Sequence, residues 1–378
     1  MAYENGPTTQ YNSFNAGVIP NDVYGVSINW YVNRTPLFSR LPRLGVGSAQ
    51  FLITNDDYRP RTFAIGADLN DTTDVTLTYP STASLEVGDV VEIGSEKVLV
   101  TAVPSSTTAT ITRAYAGSTE AAHTSGDAAY LITNTRTGAE VDVTAVSRIP
   151  STVVQNVQTI QHAYSVGGAL QADTNYVAGG EQTPLQRDVM MATQHVVDDY
   201  EGGAYYGTGV ALAGATTKPA MKGLRTLITT NNTTSPTNAN AYKPDDLIRD
   251  TVQACYSHGG NPNILIVSTD FLSGLAKWGH AAMRINAGST VFGTPIDLFE
   301  APFLNGISII PAPLLRAGTC ICLSGAEVRN RIRRPMFDKP RGSRGDAFEG
   351  DIIMDGAIEL DNQAHHAWVS GITAFSAS

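Results

Sequence analysis

The chain has 378 residues, enough for two or three domains that each bury a core of their own. Only 16% of the residues are charged, against about 25% in a typical soluble chain, and the net charge is −10. Six of the 25 basic residues are lysine. This balance excludes a sequence-reading nucleic-acid-binding protein, which normally has a basic face. So few charges are also typical of a chain that buries much of its surface against partners.

The sequence contains no candidate leader or membrane segment. The first basic residue is Arg34, and no stretch approaches the ~20 apolar residues of a membrane span. Three cysteines fit a reducing compartment. Cys320 and Cys322 share one face of a predicted strand and are expected to pack in the interior.

Residues 1–48 are rich in Asn, Gly, Pro, Tyr and Ser but show neither helical nor sustained strand periodicity. They also contain more aromatic side chains than a disordered tail normally has. We therefore predict an extended arm that cannot bury itself and lies on another surface. Two short strands, at residues 50–53 and 61–65, are predicted to follow the arm around a polar turn.

Residues 69–133 contain short segments of alternating apolar and polar residues, divided by Gly, Ser and Pro clusters. These segments are 75–79, 87–93, 97–103, 109–115 and 128–132. The pattern predicts a small β-barrel or sandwich. Strand-like sequence resumes at residues 140–145, so the barrel is predicted to be an insertion in the larger chain.

The clearest helix is predicted at residues 183–201. Thr183 and Gln186 have the spacing of a capping box, with Pro184 at the first helical position. Gly202 and Gly203 are predicted to end the helix. The apolar residues that recur at helical spacing are Leu185, Val189, Ala192, Val196 and Tyr200.

A second α/β region is predicted to begin at Lys243, with a helix that is closed by Gly259 and Gly260. A buried strand at 263–268 and a helix at 271–278 are predicted next. The remaining predicted strands are 291–298, 306–310, 320–323, 328–333 and a closing pair at 356–360 and 364–371.

No motif with catalytic geometry is present. The glycine pairs at 45–47 and 207–209 lack the third glycine of a dinucleotide-binding loop, and no Walker loop or nucleophile elbow occurs. His365 and His366 point to opposite faces of a predicted strand, which does not suit a metal site, so we assign them to packing. We predict no catalytic residue, no cofactor, no metal and no enzymatic activity.

Two charged features are candidates for subunit contact. Asp198, Asp199 and Glu201 cluster at the C-terminal end of the long helix, where the helix dipole disfavours anions. They are either solvated or neutralised by arginines of another subunit. The second feature is an alternation of arginines that places a positive stripe on one face of a strand, with Asp338 as the acid within it. Three interpretations of this stripe are open: it contacts acidic neighbouring subunits, it contacts nucleic acid, or it is solvated. Its residues are Arg329, Arg331, Arg333, Arg334, Lys339, Arg341 and Arg344.

The order of several short motifs resembles the tailed-phage major capsid proteins of the Johnson fold, which herpesvirus shells share. The similarity covers about residues 30–376. The motifs are Asn33-Arg-Thr-Pro-Leu37, Val157-Gln-Thr-Ile-Gln161, Tyr164-Ser-Val-Gly167, Thr183-Pro-Leu-Gln-Arg187, Asp199-Tyr-Glu201, His258-Gly-Gly-Asn-Pro262 and Ile358-Glu-Leu-Asp-Asn362 with His365.

The resemblance implies an α+β capsid fold with an N-terminal arm (1–48), an extended β loop (49–150), a peripheral domain and an axial domain. The loop is enlarged by the β insertion at 69–133. The peripheral domain is 151–242, with the spine helix at 183–201 and a return at 335–378, and the axial domain is 243–334. In this family the loop lies over the spine region of a neighbour, so Arg59 and Arg61 are the preferred partners of the acidic cluster.

The implied function is a major capsid protein that self-assembles through hexamers and pentamers into an icosahedral shell around phage DNA. The expected partners are other copies of the chain, scaffolding and portal proteins and, as a further candidate, a cement protein. The DNA is a non-specific neighbour, no membrane is involved, and the expected location is the virion, assembled in the bacterial cytoplasm. A β-rich tail or surface adhesin and an encapsulin-like compartment shell are the alternatives.

Overall fold

The computed structural model describes residues 34–56, 59–70, 74–137, 150–169, 184–211, 213, 217–277, 283–284, 298–301, 304–342 and 345–376. The chain divides into a main unit, Met1–Asn55 with Ser151–Ser378, and an inserted module, Asp56–Pro150. Residues 1–33 of the predicted arm, the strand predicted at 140–145 and the predicted helix cap Thr183 lie outside the described residues. No helix within the described part of the chain is long and apolar enough to cross a membrane.

Two helices of the main unit pack against each other: α1 (Pro36–Arg40) and α2 (Pro184–Tyr206). The buried residues of α2 include Ala192, Val196, Tyr200 and Ala204, which recur every four positions. This spacing keeps one face of the helix toward the core. The helical periodicity predicted from the sequence is therefore confirmed.

The end of α2 differs from the prediction, because the helix continues through Gly202 and Gly203 to Tyr206. A Cβ atom on Gly202 would meet nothing within 4 Å, whereas one on Gly203 would lie 2.6 Å from Met221 Cε. The chain leaves the helix at Gly207, where an added Cβ would lie 2.3 Å from the Met221 carbonyl oxygen. Close backbone approach, rather than helix breaking, therefore explains Gly207, whereas the atom nearest to Gly203 is the end of the flexible Met221 side chain.

This difference predicts opposite effects for two alanine substitutions. Gly202→Ala is expected to raise the free energy of unfolding by about 0.5–1 kcal/mol, because alanine is the better helix former and has space. Gly207→Ala is expected to lower it by about 1–3 kcal/mol, because the backbone must shift to admit a methyl group. Denaturant unfolding of both variants measures the two effects. Equal effects of the same sign would contradict the packing explanation.

A four-stranded sheet covers one side of α2; strands are numbered β1–β21 along the chain. In spatial order it contains β1 (Arg43–Gly45), β19 (Val328–Pro340), β20 (Ala347–Leu360) and β10 (Gln158–Gly167). β1 runs parallel to β19, and the other neighbours are antiparallel. On β20, Ile352, Met354 and Ile358 join the core beneath α2. Because side chains alternate along a strand, residues 351, 355 and 359 occupy the opposite face.

The second sheet of the main unit has seven strands. In spatial order they are β13 (Asn232–Thr233), β21 (Ala367–Val369), β18 (Cys320–Leu323), β14 (Ile264–Val267), β17 (Leu304–Pro311), β16 (Leu298–Ala301) and β15 (Met283–Arg284). Cys320 and Cys322 on the inner strand β18 have no exposed surface, which confirms their predicted packing role. The helices of this region are α3 (Leu224–Leu227), α4 (Pro244–Leu247), α5 (Ala254–Ser257) and α6 (Thr269–Lys277), with a π-helical turn, Ile248–Gln253, between α4 and α5.

Two pairings differ from the prediction. The closing segments do not pair with each other, because β20 belongs to the four-stranded sheet and β21 to the seven-stranded sheet. A left-handed residue, Asn362 with φ of 49°, and a short 3₁₀ turn redirect the chain between them. Residues 50–53 do not pair with 61–65 either, since β2 (Gln50–Asn55) pairs with β9 (Ser151–Asn156). A second ribbon joins β11 (Thr208–Val210) and β12 (Ala220–Lys222).

The inserted module is a six-stranded antiparallel sheet. In spatial order it contains β3 (Thr62–Ala64), β8 (Ala128–Asn134), β5 (Asp89–Ile93), β6 (Glu96–Ser105), β7 (Thr108–Thr112) and β4 (Thr76–Thr78). The two edges approach each other, because the Gly66 amide donates to the Thr78 carbonyl over 2.8 Å. The sheet thus curls around a core of its own, as the predicted barrel requires. The module starts earlier than residue 69, because β3 pairs with β8.

Candidate subunit-contact site

The root of the predicted arm is held in the core of the main unit. The backbone amides of Leu37 and Phe38, in the first turn of α1, donate to the two carboxylate oxygens of Glu201 over 2.9 Å each. Asn330 binds the Leu37 carbonyl over 3.1 Å, and Leu37 is 1% exposed. The expectation that all of residues 1–48 must lie on another surface is therefore wrong for the described part, where a helix too short to be stable alone is docked on α2.

Glu201 is not available to another subunit, contrary to the prediction for the acidic cluster. Its side chain is fully buried, and it also accepts a hydrogen bond from the Tyr205 hydroxyl over 2.8 Å. Burial raises the pKa of Glu201 to about 7, although the bonds from Leu37, Phe38 and Tyr205 favour the ionised form. The first backbone amides of a helix have no acceptor within the helix, and the Glu201 carboxylate accepts hydrogen bonds from two of them at the N-terminus of α1. The position of Glu201 in the sequence did not reveal this role.

Asp199 lies at the surface and Asp198 is largely buried, and each has a partner within the chain. Arg34 approaches Asp198 to 3.7 Å, and His162 lies 2.7 Å from Asp199. The ring centroids of His162 and His195 are 5.5 Å apart. The Asp199 side chain remains 59% exposed, so it can still meet a basic group of a neighbour. Pairing of these two acids across a subunit boundary stays a prediction.

The two arginines chosen as partners of the acidic cluster have contacts within the inserted module. Arg59 forms an ion pair with Asp89, which is fully buried, and donates to the Ala83 carbonyl over 3.2 Å. Arg61 donates to the Ile132 carbonyl over 3.2 Å. Arg59 thus neutralises a buried acid of its own module, whereas Arg61 donates to a neutral carbonyl at the surface.

The predicted positive stripe on β19 is instead an ion-pair ladder with β20. Arg329 binds Asp361 over 2.9 Å, and Arg331 binds both oxygens of Glu359 over 2.7 and 2.8 Å. The pairs Arg334–Asp355 and Arg341–Asp351 continue the ladder. Arg333 is exposed, and its side chain forms no hydrogen bond among the described residues, although its charge also lowers the pKa of Asp355.

The acids of the ladder alternate along β20, and this pattern in the sequence was overlooked. Glu349, Asp351, Asp355 and Glu359 occupy odd positions and therefore one face of the strand. Residues 328–361 contain seven basic and seven acidic residues, so the ladder segment has no net charge. The face is therefore a poor site for binding nucleic acid, which depends on an excess of basic groups.

The ladder predicts different roles for two adjacent arginines. Asp355 is 1% exposed; burial favours its protonated form, but the hydrogen bonds and charge of Arg334 hold its pKa below the usual value. Arg334→Ala is expected to lower the free energy of unfolding by about 2 kcal/mol, because Asp355 loses a charged partner. Arg333→Ala is the control and is expected to change it by less than about 0.5 kcal/mol. Chemical denaturation near pH 7 compares them, and equal losses would contradict this assignment.

His365 and His366 lie in the turn before β21 rather than on a strand. His365 Nδ1 is 2.9 Å from Glu327, and His366 Nδ1 accepts a hydrogen bond from the Ser324 amide over 3.1 Å. Burial lowers the pKa of His366 to about 4, so this ring is neutral at pH 7. Each ring therefore has a partner that fixes the turn. Within the described residues, no group of three or more His, Cys, Asp or Glu side chains is placed to hold a metal ion.

The inserted module has a buried polar centre that the sequence reading did not find. Both oxygens of Glu96 bind Arg113, over 3.0 and 2.8 Å, and Glu96 Oε2 lies 3.0 Å from His123 Nε2. The amides of Ala114 and Ala121 donate to the same carboxylate over 3.1 Å each. Burial raises the pKa of Glu96, but these hydrogen bonds outweigh it and lower the pKa to about 2. Glu96 thus fixes the loop between β7 and β8.

Sequence comparison connects this architecture to a known family. The family model described as SU10 major capsid protein matches residues 5–373. The chain belongs to the SU10 major capsid protein family. The resemblance to tailed-phage major capsid proteins predicted from the sequence is thereby confirmed, and with it the α+β capsid fold. No curated protein matches the sequence of this capsid protein.

Several solved structures are similar to this capsid protein at low sequence identity. The SrpI encapsulin complex from Synechococcus elongatus PCC 7942 is 9% identical, with a TM-score of 0.46 over 90% of this chain and 89% of that chain. Mycobacterium phage Bobi is 12% identical, with a TM-score of 0.45 over 89% and 90%. The capsid of an empty GTA particle is 9% identical, with a TM-score of 0.46 over 89% of each chain.

Membership of this family identifies the chain as a major capsid protein that assembles with itself into the shell of a phage particle. The family has a structural role. The residues described above contribute to that role by holding the arm root, the long helix and the two sheets in one subunit. Surfaces left exposed by this subunit are then the candidates for contact between copies.

Proposed function

We propose that copies of the chain form hexamers and pentamers and close into the icosahedral head of a tailed phage that packages double-stranded DNA. Assembly takes place in the cytoplasm of the bacterial host, with separate scaffolding and portal proteins and with a cement protein as a further candidate. The chain itself carries out no catalysis. A shell of identical copies needs surfaces that are complementary to other parts of the same chain.

One observation carries this proposal: the ribbon β2–β9 exposes an apolar pair. Leu52 faces Val154 across the ribbon, and the two residues are 60% and 44% exposed. Met190 and Met191 on α2 are also exposed, at 36% and 40%. Two apolar surfaces on one subunit are favourable only if copies cover them, because burial of each large apolar side chain contributes about 1.5–3 kcal/mol.

The test is to place a charge on the ribbon. Leu52→Asp is expected to leave the subunit folded but to prevent shells, because the substituted residue is exposed in the subunit and buried between copies. Val210→Asp is the matched control, since Val210 is 41% exposed on β11, outside the ribbon β2–β9. Electron microscopy shows whether shells form, and circular dichroism shows whether the subunit keeps its secondary structure. Normal shells from the Leu52→Asp chain would contradict the proposal.

We also propose that the chain before the arm root lies on a neighbouring copy, and that Asp198 and Asp199 meet basic groups there. The root is anchored from Arg34 onward, so removal of residues 1–30 leaves the anchoring contacts of Leu37 and Phe38 in place. We expect the truncated subunit to unfold at the same denaturant concentration as the full chain but to form no stable shells. Heat-stable shells of normal size from the truncated chain would contradict this role.

A further inference from the structure

One face of the long helix α2 is exposed along most of its length. The exposed residues of α2 are Gln186, Arg187, Met190, Met191, His195 and Asp199. Four of them, at positions 187, 191, 195 and 199, are spaced four residues apart and therefore form one row on the helix surface. The row is about 18 Å long at 1.5 Å per residue. Because the other residues of α2 are half-buried or buried in their own subunit, this row is the surface that the helix offers to another molecule.

The row has opposite charges at its two ends. Arg187 is the basic end, and Asp199 is the acidic end. The Asp199 side chain remains 59% exposed although His162 lies 2.7 Å from it, and Met191 between the two ends is 40% exposed. A second copy of the row is complementary only in the antiparallel orientation, because a parallel copy places like charges together.

Two antiparallel copies of the row are related by a twofold axis near Thr193, the midpoint of the row. Arg187 of one copy then faces Asp199 of the other, and Met191 faces His195, so that each pairing occurs twice. Rows of residues four apart are the ridges that interdigitate in the commonest class of helix packing, with the helix axes inclined by about 50°. The contact therefore contains two ion pairs and covers the exposed apolar side chain of each copy.

The apolar ribbon β2–β9 is the other candidate for covering this row. Its strands, Gln50–Asn55 and Ser151–Asn156, contain no charged residue. The ribbon could cover Met191, but it offers no partner to the charges at the two ends of the row. A second copy of α2 matches both the charges and the apolar middle.

We propose that α2 forms a twofold contact between copies of the chain, in which Arg187 of each copy pairs with Asp199 of the other. This inference rests on the proposed shell function and names the basic group that Asp199 meets. The contacts within a ring of subunits are head-to-tail, whereas a twofold contact closes on two copies. The α2 contact consequently joins subunits of different hexamers or pentamers.

Disulfide cross-linking in assembled shells tests the geometry. Shells are assembled from an equal mixture of Met191→Cys and His195→Cys chains and oxidised with copper phenanthroline. The native thiols of Cys255, Cys320 and Cys322 are fully buried, so the wild-type chain provides a low background. Up to about half of the chains are expected to migrate as dimers on a denaturing gel, because half of randomly formed pairs contain one chain of each kind. Shells of either variant alone are the controls and are expected to give few dimers. No excess of dimers in the mixed shells, as a contact between α2 and the ribbon would give, would overturn the inference.

Charge reversal tests the pairing of the two ends. Arg187→Asp or Asp199→Arg alone replaces two attractive pairs of each contact by two repulsive ones, and each is expected to lower the yield of shells roughly tenfold. The chain with both substitutions again has opposite charges at the facing ends and is expected to recover most of the yield. If the losses add in the double variant, the two residues act within their own subunit and the inference is overturned. Failure to obtain any shells from the wild-type chain would instead contradict the proposed function.

Discussion

Replacement of Glu96 by alanine is expected to lower the free energy of unfolding of the inserted module by about 3–5 kcal/mol. The side chain of Arg113 is 5% exposed and would remain as a buried charge without its principal partner. The amides of Ala114 and Ala121 would lose their acceptor as well. The loop they hold contains Ala114 and Ala116 at φ of 51° and 57°, a conformation that alanine adopts only when other contacts impose it.

Amide hydrogen exchange in strands β5 to β8 measures this loss separately from the main unit. The matched control is Glu92→Ala on the neighbouring strand β5, where the side chain is half-buried and the expected change is less than about 1 kcal/mol. The exchange rates of α2 are expected to stay unchanged in both variants. If Glu96→Ala and Glu92→Ala accelerate exchange equally, Glu96 is not the centre that stabilises the module.

The stability of the main unit is expected to depend on pH through Glu201. The pKa of this group is about 7 in the folded chain, against an ordinary value of 4.5. The folded state therefore binds a proton that the unfolded state has released between these pH values, and the contribution of Glu201 to stability falls as pH rises. Between pH 5 and pH 8 the wild-type chain is expected to lose about 2.5 kcal/mol relative to Glu201→Gln, which does not titrate.

Denaturant unfolding of the two chains across this range gives the difference directly, because other titrating groups are common to both. Glu349→Gln on β20 is the control, and its difference from the wild type is expected to vary by less than about 0.5 kcal/mol. If the difference in free energy of unfolding between wild type and Glu201→Gln does not change with pH, the three hydrogen bonds to Glu201 offset the effect of burial on its pKa. If the wild type instead gains stability relative to Glu201→Gln as pH rises, the hydrogen bonds outweigh burial.

Local patterns predicted the elements that depend on neighbours in the sequence. The strands of the inserted module alternate apolar and polar residues in short segments, so their positions were predicted to within a few residues. The long helix was found for the same reason. Its end was misplaced because Gly202 and Gly203 lie inside the helix, and because Gly207 is required by the close approach of the Met221 backbone, which the sequence around the helix does not reveal.

Contacts between distant residues were harder to predict. The amide of Leu37 binds a carboxylate 164 positions away, and no local pattern marks Glu201 as buried. The arginines from Arg329 to Arg341 were interpreted as a charged surface because their acids lie 10–32 positions further along the chain. The alternation of acids on β20 was the available signal, and it becomes informative only when the two strands are paired.

The ribbon β2–β9 has a consequence for the evolution and engineering of this capsid protein. Asn55 and Ser151 are opposite each other in the ladder, so the chain leaves and re-enters the main unit at points about 5 Å apart. Any independently folding domain whose own ends are that close can be spliced between these residues without stretching either strand. The main unit is thus a frame in which one inserted domain can be exchanged for another, repeated in every subunit of the shell.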